Sequence, residues 1–345
     1  MLKKNLYLKM LIIIFITLIF QSCSLVPKRE DFLSFKPVPI EKADPFPSKF
    51  QLKKNNKVVI ISKFDINELQ YSNQSYRLAQ ESNLSSSMTG TLEKYLRGAG
   101  VKLFDGNERQ KRVLIEAAQR NEILTDNNSK NIIVDYVFFP RINSLDVYSE
   151  YEEAYETTNI LTGKKMNVPA KCKYTANISS TLRIYDGTTR QMEESIDLSN
   201  EYTDRIKARN SYCNNKQFTL RTIRKAGQKT VTKNRTIIQN YVTPITYIEE
   251  MKKDSSRYIV KINCGKKCKI EPKDKVDFYT FRDPEIKGYL IGHGRVSHII
   301  GSDYAWVLID NPEQTIPKIK QGYVATIKFK KGFFESFTNI IDDLN

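Results

Sequence analysis

Residues that build active sites are scarce in this chain. Its 345 residues include two histidines, His293 and His298, and one tryptophan, Trp306. No Walker loop, Gly-x-Ser-x-Gly elbow or His-Glu-x-x-His helix occurs. The stretch GHGRVSH (292–298) sets two glycines near a histidine, yet it lacks the third glycine of a dinucleotide loop and lies in a β-type segment. Its histidines are five positions apart, hence on opposite faces of a strand, which disfavours joint metal binding. These absences favour binding or assembly over catalysis, with no cofactor and no metal implied. A helical membrane span is lacking too: the apolar run from Met10 to Phe20, broken only by Thr17, falls well short of the ~20 residues a span requires.

What that run does fit is an export signal. Lys3, Lys4 and Lys9 supply a basic leader without an acidic residue, and the apolar core has the length of a secretory h-region. It ends in Phe20-Gln21-Ser22-Cys23, a small residue directly before a cysteine, which resembles a bacterial lipobox. The signal peptide then covers 1–22 and Cys23 carries the acyl chains, since stable anchoring takes more than one chain. Ser24, rather than Asp, after the cysteine implies the outer membrane, with the protein on its periplasmic face. Residues 23–53 hold Pro27, Pro37, Pro39, Pro45 and Pro47, a proline-rich, extended tether without a packed core.

With Cys23 used for lipid, Cys172, Cys213, Cys264 and Cys268 remain. An even number in an oxidising compartment reads as a disulfide set, with three connectivities open. The spacing INCGKKCKI favours Cys264–Cys268 closing a small turn and leaves Cys172–Cys213 as the other pair; zinc is the rival.

Negative charge is missing from one long window. The chain carries a formal +16, and 205–248 contains no acid but holds Arg205, Lys207, Arg209, Lys216, Arg221, Arg224, Lys225, Lys229, Lys233 and Arg235. This is either a solvated basic face or a binding surface. In an exported protein the anionic partners are envelope proteins, lipid headgroups or an anionic envelope polymer, and nucleic acid drops out.

The length allows two domains. VVIISKF opens the first as a buried-type strand, followed by helix from Tyr76 to Arg97, the short strand VKLF, helix 107–124 capped by Asn107, and a strand ending near Asp146. Tyr174, Ala176, Ile178, Leu182 and Ile184 alternate onto one face, and after the Asp186-Gly187 turn Met192, Ile196 and Leu198 do likewise. The order predicts an α+β fold: a mixed sheet with helices on one face over 54–252. Five short strands between 255 and 331 predict a small antiparallel β-barrel, and 332–345 is a tail.

Four stretches are similar to the periplasmic domain of the CsgG-like curli secretion-channel lipoproteins: VVIISKF, LEKYLRGAGVKLFDGNERQKRVLIEAAQRNEI, VDYVFFPRINSLDV and LRIYDGTTRQMEESIDL. Glu108-Arg109-Gln110 and Leu182 to Thr188 occupy the places of that family's motifs. The same fold resemblance extends to the TolB N-terminal domain, to lipoprotein activators of cell-wall synthases, and to FlgT, which places a small β-domain after it. The resemblance implies a non-enzymatic lipoprotein that scaffolds a flagellar or secretion apparatus; a curli-type channel subunit and a cell-wall synthase regulator are the alternatives. The channel family's membrane hairpins have no counterpart in pattern here. Residues 146–173 carry Glu150, Glu152, Glu153 and Glu156 without the alternation of a spanning strand. Homo-oligomerisation stays open.

Cys23→Ala is expected to abolish labelling with radioactive palmitate and to move the protein from the membrane to the soluble fraction. Unchanged membrane association would show that Cys23 is not the anchor.

Overall fold

The computed structural model describes residues 26–48, 57–104, 108–120, 134–158, 163, 165–208, 210–282 and 286–329. The signal peptide 1–22, Cys23, Asn107, Arg209 and the tail 332–345 lie outside the described residues. The chain divides into two compact units: Lys57–Val242, and the segment before it together with everything from Thr243 on.

In chain order the elements are β1 (Lys36–Val38), β2 (Val58–Ile61), α1 (Asn73–Glu81), α2 (Leu84–Gly98), β3 (Lys102–Leu103), α3 (Glu108–Gln119) and β4 (Tyr136–Glu152). There follow β5 (Tyr155–Thr158), β6 (Lys165–Val168), β7 (Lys171–Asp186), β8 (Met192–Lys207), α4 (Lys216–Lys233) and α5 (Arg235–Tyr241). The remainder is β9 (Ile245–Asp254), β10 (Arg257–Ile262), β11 (Lys275–Arg282), β12 (Ile286–Ile300), β13 (Ala305–Asp310), α6 (Pro312–Thr315) and β14 (Val324–Lys328).

The first unit is a mixed sheet in the order β3-β2-β4-β7-β8. β2 runs parallel to β3 and β4, whereas β4, β7 and β8 are antiparallel neighbours. The helix predicted over 76–97 is two helices, because Asn83 takes a left-handed φ of 53° and ends the first. Leu84, Met88, Leu92 and Leu96, one turn apart along α2, are completely buried. Against them packs α4, which Asn215 caps by accepting a hydrogen bond from the Phe218 amide at 3.0 Å. Close approach of the two helices depends on Gly227, where a Cβ would overlap Leu84 and Met88.

Helices cover both faces of this sheet, which corrects the expectation of one. Leu114 and Ile115 of α3 pack with Val137, Phe139 and Tyr185, whereas Phe218 of α4 meets Tyr174. Tyr174 and Tyr185 differ in parity along one strand, so they point to opposite faces.

The second unit is a ring-like antiparallel sheet, β9-β10-β13-β12-β11-β14, with β14 pairing back onto β9. Val260, Ile262, Val276, Phe278, Val307 and Ile327 fill its core. Strand β9 belongs here, so the division falls at 242/243 rather than near 252. Its charged Glu249, Glu250, Lys252 and Lys253 mask the buried Tyr247, Ile248 and Met251 in the sequence.

Residues 26–48 are also part of this unit, which corrects the expectation of a tether without a packed core. β1 pairs antiparallel with β9 from Lys36↔Lys253 to Val38↔Met251. Phe35, 4 % exposed, packs with Ile259, Ile299, Trp306 and Leu308, and the Phe32 ring lies 5.3 Å from that of Trp306. Proline fixes φ and offers no donor, which suits an edge segment as well as a tether.

Phe35→Ala is expected to destabilise the second unit by about 3 kcal/mol, read from the emission of the single tryptophan, Trp306, during urea unfolding. An undocked segment would leave the midpoint unchanged.

Candidate binding surface

The cations of 205–248 do not form one bare patch. Acidic partners reach them from neighbouring elements, and one of these, Asp204, lies a single residue before the acid-free window. The Asp204 carboxylate Oδ2 accepts from Arg221 Nη2 at 2.9 Å and from Lys225 Nζ at 3.1 Å. Glu152 of β4 takes Arg205 at 3.3 Å, and Glu81 of α1 takes Lys216 at 2.8 Å. Aromatic rings hold the stems in place. The Arg221 guanidinium sits 4.5 Å from the Phe218 ring centre, and Arg235 sits 5.2 Å from that of Tyr95 while donating to Gln239 Oε1. Lys229 is also engaged.

Burial pushes the Asp204 carboxyl up, but hydrogen bonds from Arg221 and Lys225 outweigh it and hold it below the usual Asp value. Lys225 is raised, burial being outweighed by its hydrogen bonds to Asp204 and Tyr202. These hydrogen bonds pin α4 to β8.

What remains is narrower. Among the described residues, Lys207, Arg224 and Lys233 are exposed and take no side-chain carboxylate. Lys207 stands directly opposite Lys171 on β7, whose other neighbour in register is Glu152 of β4. Arg224 and Lys233 stand nine residues apart on α4, about half a turn around its axis, so they are separate exposed cations and not one stripe.

The Cys172–Cys213 disulfide sets where α4 starts. It joins β7 to the loop after β8 across a Cα–Cα distance of 5.4 Å, so α4 starts beside the sheet's end. In the other unit, Cys264 and Cys268 are joined across 5.9 Å and buried in its core. His293 Nδ1 lies 2.7 Å from the Asp277 carboxylate, which also accepts from Lys328 at 3.0 Å. Among the described residues no three His, Cys, Asp or Glu side chains come together to hold a metal.

Two features escape the sequence reading. β4 continues to Glu152 instead of ending near Asp146, and it carries Tyr148 and Tyr151 exposed, with Tyr155 and Met166 exposed on the β5–β6 hairpin beyond. The glutamates of this segment are cross-strand partners: Glu150 binds Lys173 at 3.4 Å and Glu156 binds Lys165 at 3.7 Å. The second is an open cleft of about 870 Å³ where β2 ends, bordered by Lys63, Asp65, Glu93 and Arg112. Its charges come from three separate segments, so no local motif announces it. No helix among the described residues is long and apolar enough to cross a membrane.

Asp204→Asn is expected to cost about 1 kcal/mol at neutral pH, measured by urea unfolding. Because the native carboxyl is depressed, the contribution is present above the usual ~3.9 and is lost as the pH falls through the native value. Wild type and variant should therefore converge in acid.

No protein-family model matches the chain, and no curated protein matches it. Solved structures do. A minor lipoprotein from Acinetobacter baumannii is 12 % identical, with a TM-score of 0.26, over 55 % of this chain and 97 % of that one. A hypothetical protein from Chlamydia trachomatis is 9 % identical, with a TM-score of 0.27, over 53 % and 98 %. A neuraminyllactose-binding hemagglutinin homologue from Helicobacter pylori is 15 % identical, with a TM-score of 0.25, over 60 % and 92 %.

Proposed function

We propose that this chain is a lipid-anchored envelope protein that works by binding, as a scaffold in a flagellar or secretion apparatus on the periplasmic face of the outer membrane. One observation carries the export part: a basic leader and apolar core end at Ser22-Cys23, and the other four cysteines pair within the chain, two in each unit. Disulfides persist in the periplasm and not in a reducing cytosol. The binding part rests on Lys207, Arg224 and Lys233, which are exposed and take no side-chain carboxylate among the described residues. A polyanionic or acidic protein surface is the complement.

Arg221 and Lys225 are poor probes of this reading, since replacing them also breaks the Asp204 bridge. Arg224→Glu with Lys233→Glu removes two exposed charges without touching an ion pair. A photocrosslinker at the exposed Gln228, one turn after Arg224, should capture components of a flagellar or secretion apparatus in living cells, and the double reversal should lose them with unfolding unchanged. Capture of a cell-wall synthase instead would favour the regulator, and capture that survives the double reversal would remove these cations as the contact.

A further inference from the structure

The docked N-terminal segment leaves almost no slack between the lipid anchor and the second unit. Val26 is already buried, and the Pro27 carbonyl accepts a hydrogen bond from the His298 amide at 3.2 Å. Only Ser24 and Leu25 separate Val26 from Cys23 in the sequence. Three extended residue steps reach about 10 Å. If Cys23 is acylated, as proposed above, its glycerol and thioether sit at the membrane interface, and Val26 must lie within that short reach. The second unit is then held at the bilayer in one orientation, with the face that carries 26–38 turned toward it.

The composition of that face fits a lipid surface. Leu33, in the turn between Pro27 and Phe35, is 94 % exposed, so a large aliphatic side chain stands free. On the same side lie Lys28, Arg29, Lys252 and Arg257, against Glu30, Asp31 and Asp254, whereas Lys36 and Lys253 alternate to the other side of the sheet. Arg257 bridges two of those acids, Asp254 at 2.6 Å and Asp31 at 3.8 Å, which leaves an excess of positive charge. The Lys252 ammonium lies over the Phe32 ring at 4.2 Å and that of Trp306 at 5.1 Å, fixing the cation on the same surface. An exposed apolar residue ringed by cations is the pattern of side chains that sit at an anionic interface.

We infer that this face of the second unit lies on the membrane that holds the Cys23 acyl chains, with Leu33 inserted at the headgroup boundary and the surrounding lysines and arginines on anionic headgroups. The inference rests on the anchor reading. It replaces a protein tethered at a distance by one seated on the bilayer.

The test uses the full chain purified from membranes and reconstituted into phosphatidylethanolamine/phosphatidylglycerol vesicles, with or without brominated acyl chains. Leu33→Trp is introduced at a position open to solvent, with buried Trp306 kept as an internal reference. Vesicles are floated, and the emission of the variant is compared with that of wild type. Floating protein whose added emission is lost in brominated vesicles, while the wild-type emission is kept, is the expected result. Floating protein whose added emission is unaffected overturns the seated orientation and leaves the anchor intact. Protein that does not float has no anchor, and overturns both.

Discussion

Strand β7 is hydrogen-bonded on both sides from Lys171 to Tyr185, and the first unit hangs from that double pairing. Backbone groups along β7 are satisfied by β4 and β8, and its side chains alternate between a buried face and one that is largely polar and half-buried. Ala176, Ile178, Leu182 and Ile184 are at most 2 % exposed on one face, and Tyr185 closes the small core beneath α3 on the other. Because the pairing continues past the helices to Lys171, it also brings Glu150 to Lys173 and sets Lys171 against Lys207. A one-residue slip would turn every one of these contacts to the wrong face. The disulfide from Cys172 then fixes where α4 can begin.

That frame decides which cations are structural. The acid-free window is a property of sequence order, whereas charge balance is a property of space. Asp204 stands on β8 one residue outside the window, and helical spacing places Arg221 and Lys225, four apart, over the same carboxylate. Glu81 and Glu152 come from elements far back in the chain. The charges left over are those that no strand or helix end happens to face, and a partner would meet these.

In the second unit a comparable constraint is aromatic. Phe32 and Phe35 close over Trp306, and Lys252 lies across the same rings. The packing of that cluster, and not the number of prolines around it, decides that 26–48 belongs to the folded unit.

Local pattern was sufficient for much of this. The even-numbered alternation in 174–184 and the Asp186-Gly187 turn mark the β7–β8 hairpin, since a strand with one face under a helix must alternate. Five of the second unit's strands are legible from short β-branched runs between turn residues, and the four-residue spacing of Cys264 and Cys268 marks a closed turn. Other elements are hidden for definable reasons. Tyr148, Tyr151 and Tyr155 recur at helical spacing within a strand and hairpin, because that end of the sheet has no core to impose alternation. β9 is obscured by its charges, and β1 by prolines. By itself the sequence determined the cysteine set, the element types with strong periodicity and the excess of positive charge, all of which need only neighbours along the chain. Only the tertiary structure decided which cations are neutralised, that helices cover both faces of the sheet, and that the proline-rich segment is docked. Each of those depends on side chains from distant segments meeting in space, and no local pattern encodes that meeting.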